Sequence, residues 1–423
     1  MNAPSRHLVP LKPAPFADRA CPKCGQPNPR VLDVAFPGIH ILGEYQCSSC
    51  GYRFYHDLPI GFAVDYDLAI GVDDGVLHNP KQVRDWVHGP LMQGFRAPSD
   101  AEVRIERRVL RSCKRVLLLN TLDFLYGHVL LKLWNAQHYL DEHPDLGLVL
   151  LLPRSFEWLV PPGVAEVWLV DQKLGQAHGW YRSIDRQVKS FLTDFDEVWL
   201  GRGYAHPDKS GIDIERYTGV KPFEIERFDS EPPHITIVLR EDRLWYRTSL
   251  HKEKHRIMRR LGLKRMADAY FKWDQQRMAL RAFRLVREAI PACTASVVGL
   301  GDPSPMPTGV EDLRTSAMNP ETERLWCRAY ARSQIVVGVH GSNMLLPTAL
   351  AGGCIEILPN DRLGNLAQDV AHRRRDAMLL FLYRFLDEFA GPAHVARHAI
   401  SMLHDFELFH RNNIVNPPQH ERR

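Results

Sequence analysis

What the sequence lacks already narrows its class. No apolar run reaches the roughly 18 residues that would cross a bilayer, so we expect no transmembrane segment. The segment Met1–Ala20 is rich in proline and has no apolar core, and it therefore does not predict a signal peptide. A net charge of +4 over 423 residues is small, so we expect no stable nucleic-acid partner. Short-period repeats, which would indicate a solenoid, are also missing.

The length and composition predict a globular protein of several domains. A chain of 423 residues is too long for one ordinary core and favours two or three domains. The eight cysteines comprise two CxxC pairs and four single residues, which are Cys113, Cys293, Cys327 and Cys354. Three of the single cysteines lie in apolar or helical contexts, as buried free thiols do. Free thiols are typical of a reducing compartment, so we predict a cytoplasmic location.

Two nearly identical knuckles lie close to the N-terminus, Cys21-Pro-Lys-Cys24-Gly and Cys47-Ser-Ser-Cys50-Gly. Each can direct two thiolates at one ion, and the glycine that follows permits a tight turn. We therefore predict a zinc ribbon over residues 1–57, with a structural Zn²⁺ whose four sulfur ligands leave no open position. A redox dithiol is the alternative, but it would need only one CxxC pair. We expect no catalytic metal.

The central part of the chain alternates buried strands with helical patterns. Residues 58–112 predict a small accessory region, and a helix predicted at Ala101–Cys113 leads into the next domain. Residues 113–231 predict a Rossmann-like domain with a parallel sheet, because strands and helices alternate there. Its predicted strands are Arg115–Asn120, Leu148–Leu152, Glu166–Asp171 and Glu197–Gly201. Its predicted helices are Tyr126–His143, a short one near Phe156–Val160, and Trp180–Thr193.

The first βα turn of this domain holds two catalytic candidates, Asp123 and His128. The turn is not GxGxxG, so it does not indicate a dinucleotide. An apolar strand precedes Asp123, and burial there would raise the pKa of its carboxyl group and suit it to general-base work. A helix N-cap is the alternative role for Asp123. The loop after the fourth strand supplies three candidates for acceptor contacts, Tyr204, His206 and Asp208.

A second Rossmann-like domain is predicted for residues 232–375, after the junction Glu231-Pro232-Pro233. Its predicted strands are His234–Leu239, Ser296–Leu300, Ile335–Val339 and Cys354–Leu358. Arg240 and Arg243 follow the first of these strands, and Gly301 follows the second. Guanidinium groups at a strand's carboxyl end suit a diphosphate, although a solvated charge cluster would have the same residue pattern. Residues 376–423 are predicted to be helical, at Ala377–Ala390 and His394–Phe409 after a helix at Leu366–Arg374.

The turn His340-Gly341-Ser342-Asn343 joins the strand Ile335–Val339 to a short helix. Backbone amides at a helix start bind phosphate, and a glycine lets a ligand approach the chain closely. Glu356, in the next strand, would accept a hydrogen bond from a ribose hydroxyl, or else pair with a neighbouring helix. The basic tract over residues 251–287 is either a solvated face or suited to an anionic acceptor or peripheral contact with a membrane surface.

Two Rossmann-like domains in tandem resemble the GT-B glycosyltransferase architecture. The segment VVGVHGSNMLLPTALAGGCIEILP, residues 336–359, resembles the donor-site segment of glycosyltransferase family 61. The first βα turn, with Asp123, is similar to the base-bearing turn of the heptosyltransferases. The zinc ribbon lies outside the usual core of both families. Neither α/β unit contains a DxD motif, by which GT-A enzymes hold a metal–diphosphate.

The resemblance implies an inverting, metal-independent transfer of a sugar from a nucleotide-sugar to a hydroxyl of a glycan or other acceptor. Asp123, with His128 near it, would activate that hydroxyl from the opposite domain. The implied donor-binding residues are Arg240, Arg243, Gly301, His340, Gly341, Ser342, Asn343 and Glu356. The alternative is a zinc-ribbon protein with inactive α/β units that binds nucleic acid or a protein. A third hypothesis is a nucleotide-sugar epimerase, but the absence of a GxGxxG motif disfavours it.

Overall fold

The computed structural model describes residues 7–61, 67–78, 85–204, 209–373 and 377–415. The chain forms two compact units, Met1–Pro207 and Asp208–Arg423. Residues 208–231, which the sequence assigned to the first α/β domain, therefore group with the second unit. Within the described ranges, no helix has both the length and the apolar content that crossing a membrane requires.

Eleven strands and three helices of the first unit lie in its described residues. The strands are β1 (Leu8–Lys12), β2 (Arg30–Ala35), β3 (Leu42–Gln46), β4 (Arg53–Asp57), β5 (Ala69–Gly71), β6 (Leu77–His78), β7 (Ile105–Val109), β8 (Arg115–Asn120), β9 (Gly147–Pro153), β10 (Glu166–Val170) and β11 (Glu197–Gly201). The helices are α1 (Asp85–Arg96), α2 (Tyr126–Glu142) and α3 (Arg182–Leu192), and the next helix, α4 (Ile214–Thr218), is the first of the second unit. Short 3₁₀ helices occupy Arg154–Leu159 and Leu174–Gln176.

The main sheet of the first unit has the order β1-β11-β8-β9-β10-β7. Its four central strands are parallel, and β1 and β7 close the two edges in the antiparallel sense. Five of the six residues of β8 and all seven of β9 are buried, as expected of parallel strands covered on both faces. The strand β7 corrects the helix predicted at Ala101–Cys113. Its charged residues gave a helical pattern, but on an edge strand they pair with the neighbouring strand and with nearby loops.

A second sheet, β2-β3-β4-β5-β6, is antiparallel throughout. It carries the second cysteine knuckle between β3 and β4. The sheet extends across the boundary predicted at residue 57, because β5 pairs with β4. The ribbon and part of the accessory region therefore fold as one β layer.

The second unit adds six strands and seven further helices in its described part. The strands are β12 (His234–Leu239), β13 (Thr294–Gly299), β14 (Val310–Asp312), β15 (Ile335–Val339), β16 (Gly353–Leu358) and β17 (Tyr383–Asp387). The helices are α5 (Ser249–Arg260), α6 (Lys264–Ala289), α7 (Pro320–Ala331), α8 (Leu345–Leu350), α9 (Met378–Leu382), α10 (Pro392–His404) and α11 (Phe406–Val415). Short 3₁₀ helices occupy Ile225–Arg227, Ser342–Met344 and Asn360–Asn365.

The sheet of the second unit is parallel throughout, in the order β14-β13-β12-β15-β16-β17. Counted from β12 as strand 1, this order is 3-2-1-4-5-6, that of the Rossmann fold. The predicted α/β fold class, with two Rossmann-like units and a small N-terminal β region, is thus confirmed.

Two helices predicted near the C-terminus are wrong. The stretch predicted as one helix at Ala377–Ala390 is a short helix, α9, followed by the edge strand β17. Leucine and phenylalanine dominate this segment and suit either state, so pairing with β16 decides it. The described part of Leu366–Arg374 contains no regular helix.

Candidate functional site

In each main sheet there is one pair of neighbouring parallel strands from which the chain continues toward opposite edges of the sheet. In open α/β sheets, ligands bind outside the carboxyl ends of the strands at this switch point. In the second unit it lies between β12 and β15, and in the first unit between β8 and β11. The sequence-predicted site residues of each unit that the structure describes cluster around these two places.

Two arginines converge at the switch point of the second unit. Arg240, just after β12, donates from Nε to Asp242 Oδ1 at 2.9 Å and from Nη1 to Asn343 Oδ1. Arg243 donates from Nη1 to the backbone oxygen of His340 at 2.5 Å. The predicted arginine pair and the predicted turn are therefore in direct contact, across the β12–β15 crevice.

Gly341 is the residue on which both guanidinium groups converge. Its φ is +148°, which lies in the region that L side chains rarely adopt. A Cβ built on Gly341 would collide with Nη1 of Arg243 and with Nη1 of Arg240. Glycine therefore suits this position because the φ would strain any other residue, and because a Cβ would displace both guanidinium groups from the backbone.

The positive charge at this place is only partly neutralised. Burial, then Arg240 and Arg362, lower the pKa of Arg243 from its usual value. No carboxylate lies within ion-pair distance of Arg243 among the described residues, whereas Arg240 is paired with Asp242. A bound anion would relieve this repulsion and supply the missing partner.

His340 and Glu356 are fully buried, and their contacts fix the conformation of the turn. His340 Nδ1 is paired with a carboxylate oxygen of Glu356, and His340 Nε2 lies 3.8 Å from Asp369 Oδ2. Burial raises the pKa of Glu356. The backbone N–H of His340 donates to Ile357 O at 2.9 Å, so the ring and the main chain are both fixed. The Glu356 carboxylate, predicted to meet a ribose hydroxyl, instead faces His340.

A cleft of about 490 Å³ opens beside the arginine pair. It is bounded by residues flanking Arg240 in sequence, by the first half of α6, and by the loop after β13, which contains Gly301. The Trp273 side chain, 50% exposed, lines one wall. Arg314 forms an ion pair with Asp312, and both side chains are 8% exposed. An exposed indole next to polar side chains suits a flat heteroaromatic ring.

At the switch point of the first unit a carboxylate is fully buried. Asp123 Oδ2 lies 2.9 Å from Lys132 Nζ, and Asp123 Oδ1 lies 3.3 Å from His128 Nδ1. Lys132, 1% exposed, also donates to Leu122 O at 2.9 Å. The N-cap of α2 is Leu125, so Asp123 does not cap this helix, although it accepts from the Leu125 amide at 3.2 Å.

The predicted direction of the Asp123 pKa shift is wrong. Burial acts to raise the pKa of Asp123, but Lys132 and His128 outweigh it and lower the pKa to about 2. The apolar strand before Asp123 favours a raised pKa, but the lysine nine residues later lies close enough to reverse the shift. Asp123 is therefore an ionised carboxylate held between two partners.

Tyr204 joins the same cluster. Its ring lies edge-on to His128 at 6.3 Å between centroids, and Lys132 Nζ lies 5.9 Å from its centroid. A narrow cleft nearby is lined by aromatic and histidine rings, among them Phe124 and His178. The other two candidates for acceptor contacts, His206 and Asp208, lie outside the described residues.

The four knuckle cysteines come together as the spacing predicted. Their sulfur atoms all lie within 4.8 Å of one another, with 3.7 Å between Cys21 and Cys50 and 3.5 Å between Cys24 and Cys47. A tetrahedral ion with bonds of about 2.3 Å to sulfur would place the sulfurs about 3.8 Å apart. Each knuckle closes with the amide of a positive-φ glycine, Gly25 or Gly51, donating to the first cysteine's carbonyl. The donor set therefore fits a structural metal.

Several residues of these sites were missed by sequence reasoning. Lys132 could have been predicted, because a lysine inside an apolar helical stretch needs a buried partner. Asp242 could also have been predicted, as an acidic residue between the two arginines. Asp369 and Arg362 could not, since only the packing of the 360–373 segment brings them near His340 and Arg243.

No family model matches the chain, and no curated protein matches it. Among solved structures, that of the E. coli ADP-heptose LPS heptosyltransferase II is similar to it, with a TM-score of 0.37 and 10% sequence identity. That similarity covers 69% of this chain and 99% of the other. At this identity and TM-score it carries no argument about activity, which has to come from the residues themselves.

Proposed function

We propose that this chain is a glycosyltransferase of GT-B type that transfers a sugar from a nucleotide-sugar to a hydroxyl of a glycan or other acceptor. The observation that carries the proposal is the convergence of Arg240 and Arg243 on Gly341 at the switch point of a Rossmann-ordered sheet. A charged, partly desolvated arginine pair at that place suits a diphosphate.

The second unit would hold the donor. As the sugar leaves, negative charge develops on the departing diphosphate, and fixed guanidinium groups stabilise it without a metal ion. The backbone of Gly341, Ser342 and Asn343 would add contacts to the same oxygens. His340 and Glu356 would act as positioning residues, because their buried pair fixes the turn. The adjacent cleft, with Trp273 and Gly301, would take the nucleoside.

The first unit would activate the acceptor. Of the two catalytic candidates, His128 has an exposed edge and Asp123 has none, with side-chain exposures of 14% and 0%. We assign proton removal to His128, with the Asp123 carboxylate orienting its ring and stabilising its protonated form. Direct attack by the activated hydroxyl would invert the anomeric configuration of the transferred sugar. Tyr204 would lie beside the acceptor.

The cysteine cluster would hold one Zn²⁺ with a structural role. Four sulfurs saturate a tetrahedral ion, so the ion would stabilise the β layer of the first unit. In refolding without metal, we expect this layer to be the part that fails. One zinc per chain by elemental analysis would support the assignment, and retention of that zinc in a Cys24→Ser/Cys47→Ser variant would contradict it.

A nucleotide panel tests the donor site. Thermal unfolding would be followed with UDP, GDP, CMP and ADP, each with and without EDTA, and with tRNA and duplex DNA. We expect one nucleoside diphosphate to raise the melting temperature selectively, and Arg240→Ala to remove that shift. Arg256→Ala, an exposed cation on α5, is the matched control and should keep it.

Other outcomes of the panel would count against the proposal. A response to polyanions alone would favour the zinc-ribbon binding protein with inactive α/β units. A nucleotide shift that disappears in EDTA would contradict metal independence while leaving nucleotide binding intact. For the proposed transfer itself, the anomeric configuration of the product, read by NMR, distinguishes inversion from retention.

A further inference from the structure

A groove of about 560 Å³ runs along the second half of α6 in the second unit. Five arginines line it, and its described lining contains neither a lysine nor an acidic residue. We call it the arginine groove, and its arginines are Arg247, Arg277, Arg281, Arg284 and Arg287. It shares no lining residue with the cleft beside Arg240, which is bordered by the first half of the same helix.

The spacing of the arginines concentrates charge on one helical face. Arg277, Arg281 and Arg284 follow the i, i+4, i+7 pattern, so their side chains lie along one stripe of α6. Like charges at this spacing destabilise an isolated helix by about 0.2–0.5 kcal/mol per pair. Such a stripe therefore has a small cost to folding, which a bound anion would offset.

Few of these charges are neutralised within the protein. Arg247 pairs with the buried Asp274, donating from Nε to Oδ2 at 2.8 Å, and Arg284 lies 3.9 Å from Glu288. Arg287 donates to the backbone oxygen of Thr308, which leaves its charge in place. Arg281 is exposed, with no carboxylate within ion-pair distance among the described residues.

Arg277 packs over the ring of Trp273 at 4.6 Å, which orients its guanidinium without cancelling its charge. Together with Arg281 and Arg287, it gives the groove at least three cationic groups that lack an acidic partner. Guanidinium forks match the oxygens of phosphate in a bidentate way, which lysine does not. An all-arginine wall therefore favours phosphate over a diffuse attraction to any anion.

The size and floor of the groove favour a compact ligand. Its volume lies in the range of small-molecule sites, roughly 300–1,000 Å³. Met278 and Phe283 form an apolar floor and are 2% and 4% exposed. Because Phe283 is the sole aromatic ring in the described lining and is buried, the groove offers no platform for stacking bases.

We infer that the arginine groove binds a ligand bearing two or more phosphate groups, either a free oligophosphate compound or a phosphorylated headgroup or glycan. This inference does not rest on the proposed function, since it concerns a different cleft of the unit. The groove would let the protein recognise a phosphorylated molecule at a place separate from the cleft beside Arg240.

The test is calorimetric titration of the full-length protein with tripolyphosphate. Arg281→Glu/Arg284→Glu reverses two groove charges, and we expect it to weaken binding by about tenfold or more. Arg256→Glu/Arg260→Glu makes the same change in net charge on α5, outside the groove, and should bind as the wild type does. Arg281→Gln serves if the double variant unfolds, and should still weaken binding measurably.

Competing outcomes are decisive. Equal weakening in the groove variant and the α5 variant would show a response to net charge and would overturn the inference, as would undetectable binding of tripolyphosphate. Binding confined to duplex DNA would overturn it too. Vesicles of phosphatidylcholine with a phosphatidylinositol bisphosphate then identify the source. Sedimentation with them, competed by tripolyphosphate and lost in the groove variant, supports a lipid headgroup; no sedimentation, with tripolyphosphate still bound, supports a free phosphorylated compound.

Discussion

At the switch point of the first unit a carboxylate is buried between a lysine and a histidine, whereas at the switch point of the second unit two guanidinium groups converge on a glycine. Asp123 has both its partners, Lys132 and His128, built into α2. Arg243 has a backbone carbonyl as its partner and like charges around it. The first cluster is electrostatically complete, and the second is short of negative charge.

This difference separates what each unit can do. A completed ion pair holds its own geometry and can orient a neighbouring histidine, but it has little charge left to attract a ligand. An incomplete cationic pair has the opposite character, since an incoming anion supplies what is missing. The two switch points thus differ in charge: the first unit has a carboxylate that is already paired, and the second has arginines that are only partly neutralised.

The largest expected effect comes from breaking the buried pair of the first unit. Lys132→Met leaves the Asp123 carboxylate buried without its nearest cation, and we expect the free energy of unfolding to fall by about 3–5 kcal/mol. Urea denaturation measures this. The double variant Lys132→Met/Asp123→Leu removes both charges and should recover much of the loss. A single variant as stable as the wild type would show that the pair does not matter.

The next effect concerns activity and not stability. His128→Gln removes a group that can take up a proton while keeping a similar size, and we expect turnover to fall by about 100-fold or more. Nucleotide affinity should be unchanged, because the nucleotide would bind the other unit. Steady-state kinetics with a nucleotide titration separates the two quantities. Unchanged turnover would move the base to another residue.

Acid should weaken the first cluster selectively. The pKa of Asp123 is lowered from 3.8 to about 2, so its contribution to stability is full above about pH 4 and is lost as the pH falls toward 2. This shift corresponds to about 2 kcal/mol. We expect the stability of an Asp123→Asn variant to fall less steeply over that window than that of the wild type. Parallel curves would contradict the lowered pKa.

The smallest effect probes the glycine of the second unit. Gly341→Ala forces a Cβ into two guanidinium groups at a φ of +148°, and we expect it to cost about 1–3 kcal/mol. Gly364→Ala is the matched control, because a Cβ there meets no atom within 4 Å. Melting curves would show whether the substitution lowers stability, and nucleotide titration would show whether it weakens binding. Equal behaviour of the two variants would remove Gly341 from the site.

Regular strands and local motifs could be predicted from the sequence. Apolar runs placed strands at Arg115–Asn120, His234–Leu239 and Ile335–Val339, with the bounds that the structure gives. The cysteine knuckles could be predicted equally well, because each is a local turn with its own glycine. These features depend on neighbours in sequence, which the pattern contains.

What the sequence could not give depends on contacts between distant segments. The edge strands β7 and β17 read as helical, since their composition suits either state and only pairing with β10 and β16 decides it. The direction of the Asp123 pKa shift was missed because Lys132 lies two turns into the next helix. The pairing of Glu356 with His340 was missed because it depends on the neighbouring strand β15 and the turn that follows it.

The central claim is that Arg240 and Arg243 bind the diphosphate of a nucleotide. The most direct measurement is the calorimetric affinity of the wild type and of Arg243→Ala for the nucleoside diphosphate selected by the panel and for its parent nucleoside. The wild type should bind the diphosphate at least about tenfold more tightly than the nucleoside. Arg243→Ala should lose most of that advantage and leave nucleoside affinity unchanged. If Arg243→Ala weakens both ligands equally, or neither, the arginine pair is not the diphosphate site.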